Sequence, residues 1–116
     1  MNKLANSTCS ACRGDETPLS MDEIEVTLRE TPDWQILEVD GVNQLQREFS
    51  FRNFAKAMEF ARQVGEVSDK ENHHPALLVE WGKVKVSWWT HKTNGLHKND
   101  FIMAAKTSEI FRKGSE

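Results

Sequence analysis

Apolar residues along the chain change their spacing several times, and each change marks an element. Met21, Ile24 and Leu28 recur at helical spacing behind Ser20 and Glu23, the pair of a capping box. A short helix is therefore expected from Ser20 to about Glu30, with Pro32 stopping it. Trp34–Val39 and Leu45–Phe51 read as two strands around Asp40-Gly41-Val42-Asn43, a hairpin signal. Leu45, Phe49 and Phe51 alternate with Gln46, Glu48 and Ser50, which gives one buried face and one wet face; Arg47 falls among the apolar set. Asn53 then caps a second helix. Phe54, Ala57, Met58, Ala61 and Val64 share its apolar side, Lys56, Glu59, Arg62, Gln63 and Glu66 cover the other, and its end is expected near Val67. Ser68 to Asn72 reads as a polar, exposed link. A second hairpin follows, Ala76–Trp81 and Val84–Thr90 around Gly82-Lys83. Val84, Val86 and Trp88 point one way; Lys85, Ser87, Trp89 and His91 point the other. The last helix is expected from Asn99 or Asp100 and carries Phe101, Ile102, Ala105, Ile110 and Phe111.

The order α-β-β-α-β-β-α predicts an α+β two-layer sandwich, a four-stranded antiparallel sheet with helices on one face. Residues 1–19 read as a flexible leader, 20–113 as the folded domain and 114–116 as a tail. A chain of 116 residues has room for one modest core. Its 38% hydrophobic and 28% charged content is that of an ordinary soluble protein. A net charge of −3 and a pI near 5.8 give no electrostatic reason to bind nucleic acid. No apolar run suits a membrane span, the N-terminus lacks the apolar centre of a secretory signal, and a cytoplasmic location is expected. Cys9 and Cys12 form a lone C-x-x-C in the polar leader. A closed zinc site needs four ligands and no second such pair exists, so the reading as a solvated tail outweighs a redox or metal role.

The candidate chemistry lies in His73-His74-Pro75, with His91 and Asp100 downstream. Histidine exchanges protons near neutrality, and two or three imidazoles at one site move a proton onto one atom and off another without a metal. Pro75 fixes its own φ and pushes His74 toward extended geometry. If the third and fourth strands pair as a hairpin, the start of one lies beside the end of the other, which brings His91 to the doublet. Two other readings stay open. His-His-Pro could be a strand-entry loop making ordinary hydrogen bonds, or the histidines and Asp100 could form a zinc ligand set, although adjacent ligands strain tetrahedral geometry. Asp100 could cap the last helix, with Asn99 as rival, and could also orient His91 by accepting a ring N–H, raising its basicity. His97 reads as a solvated loop residue. Trp88 is most simply core. Trp89 either walls a pocket for a flat ligand or meets another subunit.

Asp69-x-x-x-His73-His74-Pro75, Trp81, Trp89-Thr90-His91, Gly95-Leu96 and Asp100 closely resemble the pterin-4a-carbinolamine dehydratases. The likeness extends to Trp34, the Asp40-Gly41 hairpin and the Phe51–Gly65 segment, and covers about Met21 to Phe111. Trp81-Gly82-Lys83-Val84, Trp88-Trp89 and Asn99 to Ala105 look most like bacterial members that accompany phenylalanine hydroxylase. The resemblance implies a lyase that dehydrates 4a-hydroxytetrahydrobiopterin to the quinonoid dihydropterin, in tetrahydropterin recycling for aromatic amino acid hydroxylation and phenylalanine catabolism. It implies no metal and no resident cofactor, a homodimer or homotetramer, and a functional link to phenylalanine hydroxylase. Carried over by position, His73, His74 and His91 are the catalytic and substrate-contacting histidines. His73 and His91 would be acids flanking carbon 4a, with His74 in binding and as the base. Asn72, Trp89, Thr90 and Lys92 would frame the pterin edge, with Trp34 as a possible wall. Asn72 and Lys92 depart from the acidic residues of animal members. The alternative is an oligomeric binding or regulatory partner of a hydroxylase or transcription factor, using the amphipathic helix Asn53–Val67.

Overall fold

The computed structural model describes Ala5 and residues 19–90 and 95–114. Along the chain run α1 (Met21–Leu28), β1 (Gln35–Val39), β2 (Val42–Ser50), α2 (Phe54–Glu71), β3 (Ala76–Glu80), β4 (Lys83–Trp88) and α3 (Lys98–Gly114). The strands form one antiparallel sheet in the order β1-β2-β4-β3, so the α+β class and the element order expected from the sequence hold. Pairing of Leu45 with Trp88 and of Phe49 with Val84 brings alternate side chains of β2 and β4 to one face. Leu45, Phe49, Val84, Val86 and Trp88 are buried there against Ala57, Phe60 and Val64 of α2 and Phe101 to Ala105 of α3. Each such side chain contributes about 2 kcal/mol by leaving water.

Local chemistry fixes the ends of the elements. Ser20 Oγ accepts the Glu23 N–H while Glu23 Oε1 accepts the Ser20 N–H, the full capping box. The first hairpin turns on two residues only, because Asp40 (φ 52°) and Gly41 (φ 81°) both take the left-handed backbone that matches strand twist. Val42 and Asn43, expected in the loop, are the first residues of β2. The second turn is Trp81-Gly82, one residue earlier than expected, and leaves Trp81 exposed.

Two expectations about burial are corrected. The outer face of β2 is not uniformly wet, since Gln44 and Gln46 are buried and the Gln46 amide donates to Gln44 Oε1 at 2.9 Å. The buried stripe of α2 is Ala57, Phe60, Val64 and Ser68, so Phe54 (51% exposed) and Met58 (47%) fall outside it. The stripe is rotated because the sheet and α3 select the side carrying Phe60, whose ring meets Phe49 and Phe51. Arg47, which broke the apolar alternation, lies 4.4 Å over the Phe49 ring and donates to Ser108 Oγ; burial lowers its pKa and Asp33 opposes that.

Candidate active site

α2 continues one turn beyond its expected end, and that turn aims the histidines. Ser68 is buried and its hydroxyl donates to the Val64 carbonyl at 2.6 Å, so a polar side chain extends the stripe without an unpaired group. Asn72 then closes the helix in the left-handed region (φ 55°), its N–H returning to Asp69 and Ser68 carbonyls. His73 N–H returns to the Ser68 carbonyl at 3.1 Å. After this reversal the two adjacent imidazoles diverge. His73 is 5% exposed and points inward, whereas His74 is 56% exposed and points out. The doublet therefore does not converge on one point. Among the described residues no set of three metal-ligating side chains gathers.

His73 Nε2 lies 2.6 Å from Asp100 Oδ1. Asp100 is fully buried, and its other oxygen accepts the Thr90 hydroxyl and the His97 backbone N–H, each at 2.9 Å. Thr90 and the His97 N–H occupy Oδ2, which leaves Oδ1 to face the His73 imidazole. His73 and Thr90 thus meet at one carboxylate, in agreement with the start of β3 lying beside the end of β4. Trp88 stacks on the His73 ring with centroids 5.7 Å apart and planes 8° apart. His74 Nε2 lies 2.9 Å from Asp69 Oδ1, in the last turn of α2, and a shallow cleft of about 500 Å³ beside it is lined by Arg62, Glu66, Asp69, Pro75 and Leu77.

Several placements differ from expectation. α3 starts at Lys98, so neither Asn99 nor Asp100 is its cap. Asp100 instead reaches back from the first turn to the His97 N–H, the acidic half of a capping box. His97 is 3% exposed rather than solvated, and among the described residues its Nε2 has no hydrogen-bond partner. Trp34 belongs to the core, donating to Ser108 Oγ at 2.8 Å and meeting Phe49 edge-on. Trp89 is partly buried and packs against the core. His91, Lys92, Cys9 and Cys12 lie outside the described residues, and the contact expected between His91 and the doublet lies there too. Sequence reasoning missed the bond of His74 to Asp69, although both stand in the motif that drew attention to the histidines. It also missed the stack of Trp88 on His73, for which hydrophobic alternation carries no signal.

The fold is a small α+β domain in which a buried carboxylate anchors a histidine. Residues 17–110 match the family model described as Pterin 4 alpha carbinolamine dehydratase. Two bacterial relatives are named for pterin-4-alpha-carbinolamine dehydratase. The one from Marinobacter nauticus is 49% identical over 96% of this chain and 100% of its own length. The one from Saccharophagus degradans is 50% identical over 96% of this chain and 98% of its own. A solved Brucella melitensis structure, described as a transcriptional coactivator/pterin dehydratase, superposes with a TM-score of 0.74 at 33% identity. It covers 82% of this chain and 99% of that one. The chain belongs to the pterin-4a-carbinolamine dehydratase family, a family of hydro-lyases.

Proposed function

We propose that this protein removes water from 4a-hydroxytetrahydrobiopterin, giving the quinonoid dihydropterin, and so returns pterin to aromatic amino acid hydroxylation. The observation that carries the reading is the buried His73–Asp100–Thr90 cluster at the mouth of α3, in a chain of this family. The reaction needs a proton delivered to the hydroxyl leaving carbon 4a and a proton taken from N5. His91 and His73 are assigned to the carbon-4a side. The contact of His73 Nε2 with Asp100 orients that imidazole for the task. His74, half exposed beside Asp69, is assigned to binding and to the proton on N5, which it can pass to water. Asn72, Trp89, Thr90 and Lys92 are assigned to the pterin edge. No metal or resident cofactor enters this scheme, and the working form is taken to be a cytoplasmic homodimer or homotetramer serving a phenylalanine hydroxylase.

Purified, chelator-treated protein should accelerate dehydration of the 4a-hydroxypterin in a stopped-flow assay. His74→Ala and His91→Ala should each lose about 100-fold in kcat while keeping the native circular dichroism spectrum. Full turnover in both variants would remove the assignment. The reading as a purely regulatory partner is less favoured, because a scaffold has no need of the histidine set His73, His74 and His91.

A further inference from the structure

A second cleft opens between the end of β2, the start of α2 and the end of α3. Its volume of about 500 Å³ falls in the range of small-molecule sites. His73 and Asp100 stand at the opposite ends of the same two helices, so this cleft is separate from the histidine site. Phe51, Phe60 and Phe111 line its apolar side together with Ile110. The three rings form one cluster, with centroids 5.1, 5.6 and 6.0 Å apart. Phe60 is buried, but Phe51 and Phe111 are only partly covered, which leaves aromatic surface open to a ligand.

Charge separates this cleft from a mere gap in the packing. Arg52 and Lys56 line it, both exposed, and among the described residues neither side chain has a carboxylate partner. Glu59, the acid in the lining, is already engaged. Its Oε1 accepts Arg62 Nε at 3.0 Å, and its Oε2 accepts Arg62 Nη2 and the Gln63 amide, each at 2.8 Å. Arg62 offsets that charge, so the cleft keeps two unpaired cations on a chain whose net charge is −3. The complement of such a surface is an anion joined to a flat apolar group. Because both Glu59 oxygens are occupied, the lining offers no carboxylate to an ammonium group. We propose that this cleft is a second binding site, for a small aromatic carboxylate without an ammonium group. The ring lies on Phe51, Phe60 and Phe111, and the carboxylate lies between Arg52 and Lys56. The site uses none of the histidines and does not depend on the dehydratase reading.

The test is a titration of the full chain with 3-phenylpropionate at low salt, followed by ¹H–¹⁵N amide shifts. Saturable shifts are expected at Arg52, Lys56 and Phe111, with His73 and Asp100 unmoved. Arg52→Gln and Lys56→Gln alter exposed side chains and so keep the fold; each should weaken binding about 3–10-fold, and the double variant more. 3-Phenylpropanamide keeps the ring and loses the charge, hexanoate keeps the charge and loses the ring, and each should bind about 5-fold more weakly or worse. Phenylalanine should also bind more weakly than 3-phenylpropionate, and raising the salt to about 0.5 M should weaken every carboxylate. The proposal is overturned if no saturable shift appears by about 10 mM 3-phenylpropionate. It is equally overturned if the double variant or the amide binds as well as the unmodified pair, or if the shifts centre on His73 and His74.

Discussion

Asp100 is the residue on which the site's geometry turns, because one fully buried carboxylate joins β4, α3 and the end of α2 through Thr90, His97 and His73. Asp100→Asn keeps the volume but replaces one acceptor oxygen by an NH₂ group. That group would then face the Thr90 hydroxyl, the His97 N–H or the His73 imidazole. A buried donor left unmatched costs about 1–3 kcal/mol. The expected result is a fall in the urea-unfolding free energy of that size, with a loss of at least about 10-fold in kcat. A variant with unchanged midpoint and rate would show that the carboxylate does not organise the site. Legibility at this scale was uneven. Asp100 and the histidines stood out by residue type, but which imidazole Asp100 holds depends on a contact between positions 27 apart in sequence. His97 was misread because Gly95-Leu96-His97-Lys98 looks like a solvated loop. The Thr90–Gly95 bridge and the entry into α3 in fact bury it.

Elements set the direction in which those residues point, and their ends matter more than their middles. Asn72 holds the left-handed cap of α2, and the two residues after it diverge, one to the core and one to water. An L-residue without a helping polar side chain pays roughly 1–2 kcal/mol in that conformation, whereas glycine adopts it freely. Asn72→Ala should therefore lower the melting free energy by about 1 kcal/mol and reduce kcat as His73 and His74 lose their aim. Asn72→Gly should stay within about 0.5 kcal/mol of the parent. Equal stability for the two would mean that the backbone has relaxed out of the left-handed region. The start of this helix was legible, since Asn53 Oδ1 accepts the Lys56 N–H as its position suggested. Its end was not, because Ser68 reads as a link residue until tertiary packing buries it.

For the whole molecule, the titratable pairs on the surface set how stability responds to pH. Hydrogen bonds from Arg62, then Gln63, hold the Glu59 carboxyl down at about 2, below its ordinary 4.5. Ser20 lowers Glu23 and Arg112 lowers Glu109 in the same way. Depressed carboxylates contribute stability that is complete above the unfolded value and is lost as pH falls through the folded one. The window is therefore about pH 4.5 down to 2. At the other end Lys83 is raised above 10.5, by Glu80 first and then Glu48, so its contribution is present below 10.5 and fades as pH rises past it. Urea midpoints should fall between pH 4.5 and 2, Glu59→Gln should flatten that fall, and 1 M salt should flatten it further because these groups are exposed. An acid limb unchanged by Glu59→Gln would place the loss elsewhere.

Alternation and caps along the chain already determined the seven-element order, the pairing of neighbouring strands and the inward face of β4, because these depend on residues a few positions apart. The family was also legible, from spaced motifs. Only the packed structure decided that His73 and His74 separate, that Asp100 holds His73, that Phe60 rather than Phe54 faces the sheet and that Trp88 lies flat on an imidazole. Each of these depends on which side of one element meets another. No pattern within a single element carries that information, since a helix or strand presents several faces and only its neighbours select among them.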